Sequence, residues 1–125
     1  MTAVKIKRAY AKPDASDGVR ILIDRLWPRG MTKEKLEIKE WMKDIAPSVG
    51  LIKWFGHELK KWPEFQKKYK AELKDKNDLI KRLKQISKKN ILTLIYSAKD
   101  EKHNNAIVLL KVLQKRAVSS ARGER

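Results

Sequence analysis

At 125 residues the chain has the length of one domain, and a hydrophobic content of 42% with four Trp is enough for a core, which argues against disorder. The lack of cysteine excludes disulfides, thiol chemistry and cysteine-ligated zinc. The two histidines would need carboxylates to complete a metal site, and we predict none. The charge is strongly positive, with 31 Lys and Arg against 15 Asp and Glu and a net charge of +16.

The positive charge has two explanations. Most of it is Lys within stretches of helical pattern, such as residues 67–70 and 81–84, where it would form the solvated face of a helix. The alternative is a nucleic-acid partner, because an excess of Lys and Arg attracts phosphate backbones with an affinity that falls steeply with salt.

Two absences bear on the compartment. No stretch approaches the roughly 18 apolar residues that span a bilayer. The first residues also lack the basic and then apolar pattern of a secretory signal. We therefore expect a cytoplasmic protein that does not associate with membranes.

The first half of the chain predicts two strands. Residues 4–9 alternate between apolar and basic side chains, which is the period of a strand, and residues 11–18 carry the Pro, Asp, Ser and Gly of a loop. Residues 19–23 form an apolar run typical of a strand covered on both faces. Pro28 and Gly30 end regular structure, and Gly30 is expected to have a positive φ or to allow a close approach of the backbone. Thr32 is a cap for a short helix.

The middle of the chain is ambiguous. Leu36 and Ile38 alternate like a strand, whereas Ile38, Trp41, Met42 and Ile45 fit one face of a helix. We favour a short strand near residues 37–43. Ser48 then caps a helix that carries Leu51, Ile52 and Phe55.

The second half predicts two helices, a strand and a last helix. Pro63 is expected at the first position of a helix with Phe65, Tyr69 and Leu73 on its inner face. Asn77 or Asp78 caps the next helix, and residues 91–96 are the most strand-like run of the chain. The last helix has apolar residues at core spacing, namely Ala106, Leu109, Leu110, Leu113 and Ala117.

Strands separated by helical segments predict βαβ units and therefore the fold class. We expect a single α/β domain over residues 1–118, with a mainly parallel sheet between helix layers in a Rossmann-like three-layer arrangement. Residues 119–125 are expected to form a basic, flexible tail. In such sheets ligands bind beyond the carboxyl ends of the strands, so the site is expected in residues 8–17, 24–30 and 97–105.

Residues 24–30 combine two arginines, a carboxylate and an indole in one connection. Arg25 and Arg29 suit planar recognition of phosphate or carboxylate, and Trp27 offers a face for stacking. Asp24 is a candidate acid or base. The structural alternative is that Trp27 belongs to the core and that an arginine pairs with Asp24 or Asp44.

Residues 97–105 join the strand at 91–96 to the last helix. The start of that helix would present free N–H groups to an anion, with Lys99 and His103 adding charge. Asp100 and His103 are candidate proton carriers, and the ligand-binding candidates here are Tyr96, Lys99, Asn104 and Asn105. The structural alternative makes Asp100 the N-cap of the helix.

Two further candidates lie elsewhere. His57, a candidate proton carrier, follows the expected helix stop at Gly56. Arg8, a candidate ligand-binding residue, follows the first strand together with Tyr10. The chain has no glycine-rich phosphate loop, Walker pattern or dinucleotide fingerprint, so we predict no cofactor.

These motifs resemble those of a known family. Asp17-Gly18 with residues 24–30, residues 54–57, residues 96–100 and residues 103–106 are similar to the domain of unknown function 488 family, most of all to its YeaO-like branch. The resemblance covers about residues 5–113 and implies a small α/β protein of bacteria and archaea with a three-layer arrangement. It implies no established activity and assigns no roles to the matching residues, which are Arg25, Trp27, Arg29, His57, Lys99, Asp100, His103 and Asn104.

The leading hypothesis is a site for an anionic, nucleotide-like or phosphorylated small molecule. Arginine and lysine would hold the charge, Trp27 or Tyr96 would stack, and hydrolysis or group transfer by general acid–base chemistry is the reaction if the site is catalytic. The alternative is a non-enzymatic nucleic-acid-binding protein that uses its Lys-rich helices. The sequence leaves the oligomeric state open.

Overall fold

The structure, a computed structural model, describes residues 3–115. Its strands are Val4–Arg8 (β1), Val19–Leu22 (β2), Glu40–Trp41 (β3) and Leu92–Tyr96 (β4). Its α-helices are Lys33–Leu36 (α1), Val49–Phe55 (α2), Trp62–Leu73 (α3), Asn77–Lys89 (α4) and Asn105–Gln114 (α5). The four strands form one parallel sheet in the order β1-β4-β2-β3, which confirms the predicted α/β class.

Strand β4 is the centre of the sheet. All five of its residues are buried, and it pairs with β1 on one side and with β2 on the other, so that Leu92 lies opposite both Val4 and Val19. This is the environment that a continuous apolar run favours, because both faces and both edges of the strand are covered.

One face of the sheet carries the main core. Side chains of β2 and β4 that point to this face pack against α2, α3, α4 and α5. The period of four residues on α3 places Phe65, Tyr69 and Leu73 inward, and Leu109 of α5 is fully buried with them. The Tyr69 hydroxyl donates to the Ile45 carbonyl at 2.6 Å.

The opposite face has a thinner cover. Leu22 and Ile95 point to it and pack with Ala9 and with Leu36 of α1. Trp27 and Trp41 are half-buried beside this cluster, with their rings edge to face at 5.5 Å. The helix layers on the two sides of the sheet are therefore unequal.

Most of the predictions for the connecting segments are confirmed, and one is confirmed only in part. The Thr32 hydroxyl accepts from Lys35 N at 3.1 Å and the Ser48 hydroxyl from Leu51 N at 3.2 Å, so both predicted caps are confirmed. Gly30 has the expected positive φ, 80°. The strand expected near residues 37–43 is only two residues long.

Two helix starts were predicted wrongly. Pro63 is the second residue of α3, because Trp62 is the first. Neither Asn77 nor Asp78 caps α4. A 3-10 turn at Lys74–Lys76 leads directly from α3 into α4, which begins at Asn77 without a side-chain cap. The predicted domain end at residue 118, the tail at 119–125 and Ala117 lie outside the described residues.

Candidate functional site

A cleft of about 440 Å³ opens at the carboxyl ends of β2 and β4. The segment after β2 lines it with residues 24–29, and the segment after β4 lines it with Ser97, Ala98, Asn104 and Asn105. Residues of α2 and α3, Tyr10, Pro47 and His57 complete the wall. We call this the strand-end cleft. It brings together two of the three segments in which the sequence predicts the site, as expected when parallel strands end at one edge of a sheet.

Asp24 connects the two segments. Its Oδ2 accepts from the Ser97 amide at 2.8 Å and its Oδ1 from the Asn105 side chain at 3.1 Å. Loss of hydration on burial raises the pKa of Asp24 above its usual range, and the hydrogen bonds from Asn105 and Ser97 oppose that rise. The carboxylate therefore acts first as a clamp that fixes the start of α5 against the end of β2.

Arg25 is held by main-chain oxygens. Its Nε donates to the Pro47 carbonyl at 3.1 Å and its Nη2 to the Ala46 carbonyl at 3.3 Å. The Ala46 oxygen also accepts from Lys76 Nζ at 3.0 Å, and burial, with Arg25 nearby, lowers the pKa of Lys76. Within residues 3–115 neither Arg25 nor Arg29 forms an ion pair, so the structural alternative, in which one of them pairs with Asp24 or Asp44, is wrong.

The side chains of Trp27 and Arg29 differ in how firmly their contacts hold them. The Trp27 indole N–H donates to the Met31 carbonyl at 2.6 Å, and the ring packs on Trp41, so Trp27 is a fixed part of the wall. Arg29 is exposed, and its guanidinium has no partner among residues 3–115. Its carbonyl accepts from the Tyr10 hydroxyl at 3.0 Å, which fixes the backbone that carries this free cation.

The start of α5 is capped by Asn104. Its Oδ1 accepts from Ile107 N at 3.0 Å, and its Nδ2 donates to the Asp100 carbonyl at 2.8 Å. Asp100 is not the N-cap, so the alternative in which it caps this helix is wrong. Its carboxylate instead accepts from the amides of Lys102 and His103 and contacts His103 Nδ1 at 2.9 Å, and these hydrogen bonds, led by the one from Lys102, lower the pKa of Asp100.

Several predicted residues lie outside the strand-end cleft. Lys99, Asp100 and His103 do not line it, and His103 packs instead edge to face on Trp62 at 5.3 Å. Tyr96 is buried below the cleft, and loss of hydration raises its pKa. Arg8 is also outside. It donates to the carbonyls of Ala98 and Ser97 and so anchors the segment after β4.

His57 and several residues that lie outside the three predicted segments complete the wall. His57 lines the rim with a positive φ of 59°, directly after the left-handed Gly56 that ends α2. Pro47, Ile52 and Phe65 also line the cleft. The only sequence signal for Ile52 was an aliphatic residue beside the core positions Leu51 and Phe55.

Neither a cluster of metal-binding side chains nor a membrane-spanning helix is found within residues 3–115. Among residues 3–115, no three His, Asp or Glu side chains come together in a way that would hold a metal ion. No helix within the same residues has the length and apolar character needed to cross a bilayer.

Comparisons with known proteins agree with the resemblance read from the motifs. The family model described as "Inactive DUF488-N3 subclade" matches residues 3–125. The chain is 47% identical to "Uncharacterized protein YeaO" of Escherichia coli (strain K12), over 85% of this chain and 92% of that protein. It is 33% identical to the uncharacterized proteins Mb3100c of Mycobacterium bovis and Rv3073c of Mycobacterium tuberculosis, over 92% of this chain and 97% of each of them. No solved structure matches it.

Proposed function

The chain belongs to the DUF488 family, and we propose that it binds an anionic, nucleotide-like small molecule in the strand-end cleft without catalysing a reaction on it. The observation that carries the proposal is the convergence of residues 24–29 and the start of α5 on one cleft. Such a convergence puts cationic side chains and helix N–H groups around the same volume.

The charged end of the ligand would lie between Arg29 and the first turn of α5. An α-helix leaves its first N–H groups without intrahelical acceptors, and the cap on Ile107 satisfies only one of them. Arg25 and Arg29 line the cleft, and Asp24 supplies the one carboxylate that lines it within residues 3–115. Because the cleft wall carries these two guanidinium groups and one carboxylate, its charge balance favours an anion.

The flat part of the ligand would lie against the apolar wall. Phe55 and Phe65 stack on each other at 4.4 Å on one side of the cleft. Ile52 and Leu26 line it as well, and they are 41% and 77% exposed. A ring that covered these two side chains would remove apolar surface from water, which favours binding.

The positions of the candidate proton carriers favour binding without a catalysed reaction. Asp24 is engaged by Ser97 and Asn105, and the Asp100–His103 pair lies outside the cleft. His57 would be left without a carboxylate to orient it, since no ion pair of His57 occurs within the described residues. The family model's own description, "Inactive", agrees with this proposal.

The proposal is tested by calorimetric titration with adenosine monophosphate, adenosine and inorganic phosphate. The monophosphate should bind more tightly than either of its parts. Arg29→Ala should weaken it about tenfold or more, because a hydrogen bond between two charged groups is lost. The fold should be unaffected, since this guanidinium contacts no other described group.

Lys67→Ala is the matched control, because it removes the same charge from an exposed position of α3 outside the cleft. An equal loss in both variants would mean that net charge alone attracts the ligand. Absence of measurable heat for all three compounds would reject the proposal. Arg25→Ala is less informative because it also removes two hydrogen bonds to the backbone.

A further inference from the structure

The outer surface of α3 and α4 is strongly cationic. Residues 60–89 contain 12 Lys and Arg against 4 Asp and Glu. Because both helices turn their apolar faces into the core, most of these cations lie on the side that faces water. The exposed lysines among them, which we call the basic helix surface, are Lys60, Lys67, Lys68, Lys70, Lys74, Lys81, Lys88 and Lys89.

Few of these charges are neutralised. In the described part of the chain, the ion pairs of this region join Arg82 to Glu40 and Lys61 to Glu58, the latter at 3.5 Å. None of the exposed lysines of the basic helix surface forms an ion pair there. A surface with this excess charge attracts a polyanion more than a neutral partner.

An exposed tryptophan lies within this surface. Trp54 of α2 is 36% exposed, while its neighbours Leu51 and Phe55 face the core. The ammonium groups of Lys61 and Lys68 are 5.1 Å and 5.2 Å from the centre of its ring. The Trp54 carbonyl also accepts from Lys61 Nζ at 2.7 Å. An aromatic face is thus held among cations at a position where the core does not need it.

We infer that Trp54 and the basic helix surface bind single-stranded nucleic acid. A base would replace one lysine on the indole face, which is a weak and exposed contact. The released ammonium would remain within reach of the neighbouring phosphate. Stacking on an aromatic side chain flanked by cations is the way in which single strands are held without sequence preference.

Single strands fit better than the other polyanions. A duplex hides the faces of its bases, so it would use the lysines and leave Trp54 unused. A membrane-binding helix inserts an apolar face, but the apolar faces of α3 and α4 are already buried against the sheet. RNA and DNA strands offer the same phosphates and base faces, and the affinities of the two are compared directly in the experiment.

The test is fluorescence anisotropy of labelled 12-nucleotide RNA and DNA strands with the full chain. Trp54→Leu should weaken binding about tenfold, whereas Trp54→Phe keeps a stacking face and should retain most of the affinity. Thermal unfolding of both variants checks that the fold is kept. Lys67→Ala combined with Lys68→Ala should lower the slope of affinity against salt, which Trp54→Phe should leave unchanged.

Competitors decide between the partners. Inorganic polyphosphate carries charge without bases, so its binding should be the same in the wild type and Trp54→Leu. The inference would be overturned if Trp54→Leu and Trp54→Phe lowered the affinity for the RNA or DNA strand equally, or if neither variant lowered it. Tighter binding of a 12-base-pair duplex or of phosphatidylglycerol vesicles would also overturn it.

Arg29→Ala separates this surface from the strand-end cleft. The variant should bind the labelled strands as the wild type does, because Arg29 belongs to the cleft wall and the basic helix surface is formed by α3 and α4. Loss of strand binding in Arg29→Ala would mean that nucleic acid enters the cleft, and the assignment to Trp54 would be wrong.

Discussion

The two faces of the sheet are stabilised in different ways. One face is an apolar core in which β2 and β4 pack against α2, α3, α4 and α5. The other has a small apolar cluster at the carboxyl ends of its strands and a buried polar cluster at their amino ends. The first face depends on the area that many side chains bury, and the second on a few hydrogen bonds that must all be formed.

Asp17 is the centre of the polar cluster. Its carboxylate contacts Arg20 Nη1 at 2.7 Å and Lys7 Nζ at 3.0 Å, and its carbonyl accepts from the Thr93 hydroxyl at 2.6 Å. Arg20 donates in turn to the Leu36 carbonyl at 2.7 Å, which ties α1 to the sheet. The neighbouring Gly18 has a φ of 65°, and a Cβ there would collide with the Ile91 carbonyl oxygen.

The largest loss of stability is expected for Asp17→Asn. Removing one partner of a buried ion pair leaves Arg20 charged and uncompensated, which costs about 3–5 kcal/mol of unfolding free energy. Urea denaturation followed by circular dichroism measures it. Asp75→Asn, at an exposed position of the turn between α3 and α4, should cost less than about 0.5 kcal/mol. Equal effects of the two would mean that the polar cluster adds nothing to stability.

On the apolar face, the corresponding change is Leu109→Ala, for which about 3 kcal/mol is expected from lost transfer energy and the cavity left behind. The same denaturation measurement applies, and Leu59→Ala is the control because Leu59 is 59% exposed. Leu109 and Asp17 lie on opposite faces of the sheet, so the double variant should lose the sum of the single losses. A clear departure from additivity would show that the two faces do not act independently.

This difference between the faces also explains which elements could be predicted. Periodicity reports burial, so the strand at residues 91–96 and the inner face of α3 were read correctly from apolar spacing. The polar cluster left no such signal. Asp17 and Gly18 were read as loop residues, because their ion pairs and close contact depend on chain segments far apart in the sequence.

The candidate site, like the fold, could be predicted only in part. Parallel strands end at one edge, so residues 24–30 and 97–105 were expected to meet, and residues 24–29 line the cleft together with Ser97, Ala98, Asn104 and Asn105. Position along the chain did not reveal that the turn around Asp100 takes His103 towards Trp62. Nor did it reveal that α2 and α3 contribute Ile52 and Phe65, since that depends on how two helices pack.

The smallest expected effect is a difference in how the free energy of unfolding depends on pH through two carboxylates, the buried Asp17 and the half-buried Asp24. Burial alone would raise the pKa of Asp17, but hydrogen bonds from Asp14, Lys7 and Arg20 outweigh it and hold that pKa below its usual range. Asp17 therefore stabilises the fold above the unfolded-state pKa of about 3.9, and this contribution is lost as the pH falls through the lower pKa of the folded state.

Asp24 has the opposite sign, because burial raises its pKa. The folded state then takes up the proton first, so its contribution to stability increases as the pH falls through the folded-state pKa towards about 3.9. The free energy of unfolding, measured between pH 7 and pH 3, should thus give two different profiles. The gap between the wild type and Asp17→Asn should stay constant down to about pH 4 and narrow below it.

The gap between the wild type and Asp24→Asn should instead change above pH 4, in the direction that favours the wild type as acid is added. Asparagine at position 24 keeps an acceptor for the Ser97 amide but cannot gain a proton in this range. Two gaps with the same pH profile would contradict the assignment of opposite pKa directions. They would also mean that the strand-end cleft and the polar cluster impose the same electrostatic environment, although one surrounds its carboxylate with neutral donors and the other with two cations.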